Sequence, residues 1–165
     1  MKLVPRFICA AVFCFFSILG LQDVRADVTV NPSGTGDYPT IQAAIDAVSE
    51  GETVWLEDGV YTGTGNKNLD FGGKAITVRS LSDDPSACVI DCENDGRAFY
   101  FHSSEGLDSE VRSIKVRYGS NENGGAFLCY GASPKFVNCE FAENTSDSGG
   151  AGFAVVSSVW LIGCR

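Results

Sequence analysis

The densest grouping of chemistry-bearing side chains is Asp91-Cys92-Glu93-Asn94-Asp95-Gly96, which puts Asp91, Glu93 and Asp95 within one turn of chain. A hard cation such as calcium takes several such oxygens at about 2.3 to 2.6 Å. The stretch matches an EF-hand poorly, because its twelfth position is His102 where a glutamate is needed. An acidic, solvated corner with Gly96 at positive φ accounts for the same residues. Calcium is thus the one cofactor left open. Arg112, Lys115 and Arg117 form a second group that could grip an acidic sugar such as a uronate, and alternating charge on a solvated face explains them equally. His102 is the only histidine, has no Ser, Cys or carboxylate at a telling spacing, and reads as an exposed side chain. Tyr100, Tyr118, Tyr130 and Trp160 could stack on sugar rings or pack inward. Asn144-Thr145-Ser146 is formally a glycosylation sequon.

What must position these residues is an internal repeat. A slide of 25 residues holds without a gap from Ile114 onward: Asn123-Gly124-Gly125-Ala126 falls on Ser148-Gly149-Gly150-Ala151, Val116 on Phe141, Leu128 on Phe153 and Phe136 on Leu161. Ala98-Phe99-Tyr100-Phe101 matches Ala126-Phe127-Leu128-Cys129 at a shift of 28, with three extra residues in the polar stretch from Ser103 to Glu110. Units rich in Gly, Ser and Asn with short β-type runs are not helical hairpins. They describe coils of a right-handed parallel β-helix, each about 4.8 Å above the last. Lys115, Glu140 and Arg165 then stack on the outward side with alternating charge. Ile114, Cys139 and Cys164 form an inward column. A disulfide between parallel neighbours is strained, so Cys139 and Cys164 are expected as buried thiols.

Residues 1–26 are read apart from this fold as a secretory signal peptide. Lys2 and Arg6 precede the apolar run from Phe7 to Leu21, and Val24-Arg25-Ala26 offers small residues for cleavage. That run is short for a membrane span, which needs about 20 apolar residues. The remaining domain, residues 27–165, divides into a cap over about 27–60 and coils over about 61–165. It carries nine Lys and Arg against twenty Asp and Glu, a net charge near −11. Such a surface repels nucleic acid and anionic membranes. Five cysteines remain at irregular spacing with no CxxC pair, which is neither a disulfide framework nor a zinc pattern.

In the cap, Asp27 to Asn31 reads as a strand. Pro39 opens a short helix with Ile41, Ala44, Ile45 and Val48 on one face, and Gly51 ends it. The segment from Val28 to Val48, with Gly34-Thr35-Gly36-Asp37-Tyr38 and Thr40-Ile41-Gln42-Ala43-Ala44-Ile45, resembles the opening of pectinesterases and related pectin-lyase-like β-helix proteins. Asp58-Gly59-Val60-Tyr61 resembles their G-x-Y turn and Lys74 to Val78 their next strand. Gly124-Gly125-Ala126, Gly149-Gly150-Ala151 and Phe141-Ala142-Glu143-Asn144 resemble instead the GGA and FxxN repeats of polymorphic outer-membrane, adhesin-like proteins. The first resemblance implies polysaccharide chemistry on paired Asp with Gln and Arg. Its catalytic motifs do not occur here, and the Ser113 to Tyr118 and Asn138 to Phe141 strands hold no Asp, so no catalytic residue is carried over.

The chain stops at Val159 to Arg165, inside the strand matching Phe136 to Glu140 and without a polar cap. It is therefore expected to be C-terminally truncated or a fragment, poorly soluble alone. The reading is a secreted or cell-surface module of structural, adhesive or carbohydrate-binding role, with a polysaccharide or cell-surface component as partner and no transmembrane segment in the mature chain. The alternative is the N-terminal part of a pectin-type polysaccharide-active enzyme whose catalytic coils lie beyond Arg165.

Overall fold

Runs of three or four β-forming residues, each closed by a corner in the left-handed region, can only wind. In the computed structural model, which describes residues 27–165, they wind into a parallel β-solenoid of about five turns. The signal-peptide reading lies outside the described residues. In chain order the elements are β1 (Val28–Val30), α1 (Ile41–Ala47), β2 (Thr53–Leu56), β3 (Gly59–Tyr61), β4 (Thr77–Ser80), β5 (Cys88–Asp91), β6 (Phe99–Phe101) and β7 (Glu110–Arg112). They continue with β8 (Lys115–Arg117), β9 (Ser120–Asn123), β10 (Phe127–Tyr130), β11 (Lys135–Val137), β12 (Glu140–Ala142), β13 (Thr145–Ser148), β14 (Gly152–Val155) and β15 (Trp160–Ile162). Four sheets result. A six-stranded one runs β1-β2-β4-β7-β11-β15, a four-stranded one β12-β8-β5-β3, a three-stranded one β14-β10-β6, and a pair joins β13 to β9.

The registers are those of the repeat. Lys135 faces Trp160, Glu140 faces Lys115, Thr145 faces Ser120 and Phe127 faces Gly152, all 25 apart. Phe127 also faces Phe99, 28 apart, while β7 and β11 are already back at 25. The three extra residues therefore lie in the loop between Phe101 and Glu110, as the sequence indicates. The Ile114, Cys139 and Cys164 column is present: the Glu140 amide donates to Ile114 O, and the Arg165 amide to Cys139 O. All five described cysteines are free thiols.

Inward positions line up as vertical columns. Val54, Val78, Val111 and Phe136 stack in the six-stranded sheet, and Tyr61, Ile90, Val116 and Phe141 in the four-stranded one. Phe136 meets Phe99, Phe101, Phe127 and Phe141 at centroid distances of 4.6–5.9 Å. The corners repeat too. Ser113, Asn138 and Gly163 hold one left-handed position at φ 54°, 52° and 64°, and Tyr118 and Glu143 hold another. Non-glycine residues accept about 1–2 kcal/mol each at such positions, which is why Gly and Asn alone are an incomplete guide to the corners.

Two boundaries differ from expectation. Thr40, not Pro39, sits at the start of α1, accepting the Ala43 amide on its hydroxyl, so Pro39 lies outside the helix. The helix ends after Ala47 rather than at Gly51, because Val48 turns extended and drops into the core. Lys74 closes this end: its Nζ donates to the carbonyls of Ile45, Asp46 and Val48 at 2.8, 2.8 and 2.9 Å. A cation is favoured there both by the unpaired carbonyls and by the helix dipole. Lys74→Met keeps the stem and removes the donors, so a loss of about 2–3 kcal/mol in urea-induced unfolding is expected. Asp58 to Tyr61, likened above to a turn, contains strand β3, which pairs with β5.

Candidate functional site

Each strand alternates inward and outward side chains, so chemistry on a solenoid collects in vertical rows. Arg112, Lys115 and Arg117 do not share one face. Arg112 ends β7 in the six-stranded sheet, whereas Lys115 and Arg117 lie beyond the Ser113-Ile114 corner on β8 of the four-stranded sheet. There Lys115 and Arg165 grip Glu140 from either side, at 2.9 and 3.1 Å. Arg117 Nε donates to Asp91 at 3.0 Å and its guanidinium lies over the Tyr118 ring.

The acidic turn is divided in the same way. Asp91 faces Arg117 in the adjacent coil. Glu93 and Asp95 both engage Lys67 Nζ, at 3.2 and 3.1 Å. Asp91 Oδ1 also accepts the Glu93 amide, and Glu93 and Asn94 adopt φ of 58° and 55°. The three carboxylates are thus set against two cations on neighbouring coils, an arrangement built from groups about 25 residues away that local spacing does not reveal.

The outward face of the six-stranded sheet is the richest surface. One column runs Thr29, Trp55, Arg79, Arg112, Val137 and Ile162; its neighbour runs Thr53, Thr77, Glu110, Lys135 and Trp160. Both tryptophans of the chain therefore stand on this face. The Arg79 guanidinium lies 4.6 Å from the Trp55 ring centroid, and its Nη2 reaches Asp83 at 3.0 Å. Trp55 Nε1 donates to Asp27. Glu110 takes Arg112 Nε at 2.6 Å and Lys135 Nζ at 2.5 Å. Asp83 accepts the Ser113 hydroxyl, to which Asn138 Nδ2 donates in turn. Arg79, Arg112 and Lys135 are matched by Asp27, Asp83 and Glu110, so this face is close to neutral on an acidic protein.

These carboxyls titrate low. Burial pushes Glu110 up, but the bonds from Lys135 and Arg112 more than offset it. The Lys115 bond lowers Glu140 against a smaller effect of burial, and Arg165 adds to it. The Ser113 hydroxyl bond lowers Asp83, again against burial, with Arg79 and Arg112 adding to it. A carboxyl depressed in the folded state stabilises it above the unfolded value, near 4, and that contribution is lost as pH falls through the folded one. Thermal stability is accordingly expected to hold from neutral pH to about 5 and to drop on further acidification, read by circular dichroism melts.

His102 is not the isolated side chain that its sequence neighbours suggest. Its Nε2 lies 3.1 Å from Asp70 Oδ2 and its ring stacks on Tyr100 at 4.2 Å. Asp70 comes from the preceding coil, since Leu69 bridges to Phe99, and that register is hidden until the first coils are aligned. The Asn144 amide is also occupied: Nδ2 donates to Val116 O and Oδ1 accepts the Gly119 amide. Cys139 Sγ donates to Val111 O and Val137 O, and Cys164 Sγ to Phe136 O and Ile162 O; the neighbouring Cys164 thiol, together with burial, pushes Cys139 up.

Compared with known proteins, the chain matches no family model, no curated protein and no solved structure. The class its fold defines is the parallel β-solenoid with one short helix; the finer likenesses to pectinesterases and to adhesin-like repeats rest on their motifs alone. No helix among the described residues is long and apolar enough to cross a membrane.

Proposed function

We propose that this chain is a secreted or cell-surface β-solenoid module that binds an extended acidic polysaccharide along the outward face of its six-stranded sheet. The observation carrying this reading is that Trp55, Arg79, Arg112, Lys135 and Trp160 occupy two adjacent columns of one continuous face. Four coil steps of about 4.8 Å separate the strands of the two tryptophans, so the face offers a track roughly 19 Å long. Aromatic rings present flat apolar surface to sugar rings, and arginine presents a planar fork to carboxylates. The net negative charge elsewhere on the protein is screened beyond about 8 Å at physiological salt, so a ligand on this face meets mainly the near-neutral row in which Arg79, Arg112 and Lys135 stand.

Because both tryptophans lie on the track, intrinsic fluorescence reports its occupancy directly. Titration with polygalacturonate is expected to shift tryptophan emission, with binding weakened by added salt and reduced about tenfold in Arg112→Ala, the loss of one charge-assisted bond. Unchanged emission across the titration, or equal binding by a neutral glucan, would contradict the reading.

A further inference from the structure

The three-stranded sheet has an outward face of different character. Registers place Tyr100, Leu128 and Phe153 in one column, and extend to His102, Tyr130 and Val155 in the next. Tyr130 is 58 % exposed. Apart from Asp70 at one end, these two columns carry no charged side chain, while the outward faces of the two larger sheets are laced with ion pairs. The polar groups gather where the strip begins. Asp70 accepts the Gly72 amide on Oδ1 and meets His102 Nε2 on Oδ2. On the other side of Tyr100 in sequence, the Arg97 guanidinium lies 5.4 Å from the ring and Nη2 donates to Asn121 Oδ1. Arg97 is 9 % exposed, and its Nη1 is buried with no hydrogen-bond partner.

The size of this strip decides what fits it. Three strands at about 4.8 Å and four residues at about 3.3 Å cover on the order of 200 Å², well short of the roughly 800 Å² per partner that a stable protein interface buries. It is commensurate with one or two sugar rings. A pyranose has an apolar C–H face for Tyr130 and the Tyr100/His102 pair, and a hydroxyl rim for the Asp70 carboxylate and the second His102 ring nitrogen. Asp70, the one charged side chain in these columns, disfavours an anionic sugar here.

We infer that the outward face of the three-stranded sheet is a second, separate binding site, taking a neutral hexose unit against Tyr130, Tyr100 and His102 with Asp70 fixing its hydroxyls. This does not rest on the acidic-polymer reading, since no residue is shared between the two faces. The test is isothermal titration of the full chain with neutral hexaoses of glucose, mannose and galactose, beside polygalacturonate. At least one neutral hexaose is expected to bind. Tyr130→Ala and His102→Ala are each expected to weaken it about tenfold while leaving polygalacturonate binding unchanged, and Arg112→Ala is expected to leave it unaffected. Tyr130 is exposed, so its variant retains the fold, which a circular dichroism melt verifies. Absence of binding by all three hexaoses, binding unaltered in both variants, or loss of polygalacturonate binding in His102→Ala would each overturn the inference.

Discussion

Gly119→Ala is expected to prevent the native coil from closing. A Cβ at this position would lie 1.9 Å from Gly125 O and 2.6 Å from Gly125 C, with Asn144 Oδ1 at 2.9 Å. The nearest obstacles are backbone, so no rotamer change relieves them. The same residue donates its amide to Asn144 Oδ1 and accepts the Thr145 amide on its carbonyl, tying its corner to the coil above. Moving it apart would break both bonds in addition to the clash. A loss exceeding about 4 kcal/mol is expected, outside the range of ordinary substitutions. Gly106→Ala is the matched control, because nothing lies within 4 Å of its Cβ position. Urea unfolding followed by far-ultraviolet circular dichroism should show the first variant unfolded or nearly so and the second close to wild type. Equal stability of the two would mean that the corner does not pack as described.

Phe136→Ala is expected to be the most damaging truncation in the core. Phe136 is fully buried and its ring touches Phe99, Phe101, Phe127 and Phe141, which come from its own turn and the turn before it and from the two other large sheets. No single neighbour can collapse into the space left, so both the transfer and the cavity contributions are lost. The expected destabilisation is about 3–5 kcal/mol. Phe136→Leu, which retains most of the volume, should cost much less. A Phe136→Ala effect below about 1 kcal/mol would show that the aromatic stack is not the centre of the core.

The two variants probe what the sequence discloses readily. The 25-residue period fixes which strands are neighbours, and the facing of Lys115 by Glu140, the three-residue insertion before Glu110 and the Cys139–Cys164 column follow from it. Equal spacing on a stacked chain translates directly into spatial adjacency. The polar strands β9 and β13 were not legible. Ser120–Asn123 and Thr145–Ser148 have no apolar alternation, and they form by pairing with each other in parallel register. The strand at Gly59–Tyr61 was obscured because its glycine resembles a turn, although Tyr61 is fully buried and bonded through its hydroxyl to Val30 O and Glu57 O.

Candidate sites were less legible than the fold for one reason. Local spacing groups Asp91 with Glu93 and Asp95, and Arg112 with Lys115 and Arg117, whereas the coil separates each group and supplies partners from other turns. Trp55 and Trp160 are 105 residues apart, and nothing in the chain between them signals that they share a face. Asp70 and His102 became a pair only through the bridge between Leu69 and Phe99. In the first coils the repeat length varies, with Thr77 facing Glu110 and Val89 facing Lys115, so a constant slide cannot align them.

Everything proposed for either face depends on successive turns lying directly over one another, and nuclear Overhauser contacts measure this without recourse to function. The expected spectrum contains parallel-strand contacts linking Ile114 with Glu140 and Cys139 with Arg165, together with contacts between the side chains of Val111 and Phe136. Antiparallel α-proton contacts among these strands, or no contacts at the 25-residue separation, would contradict the stacked coil and with it both binding faces.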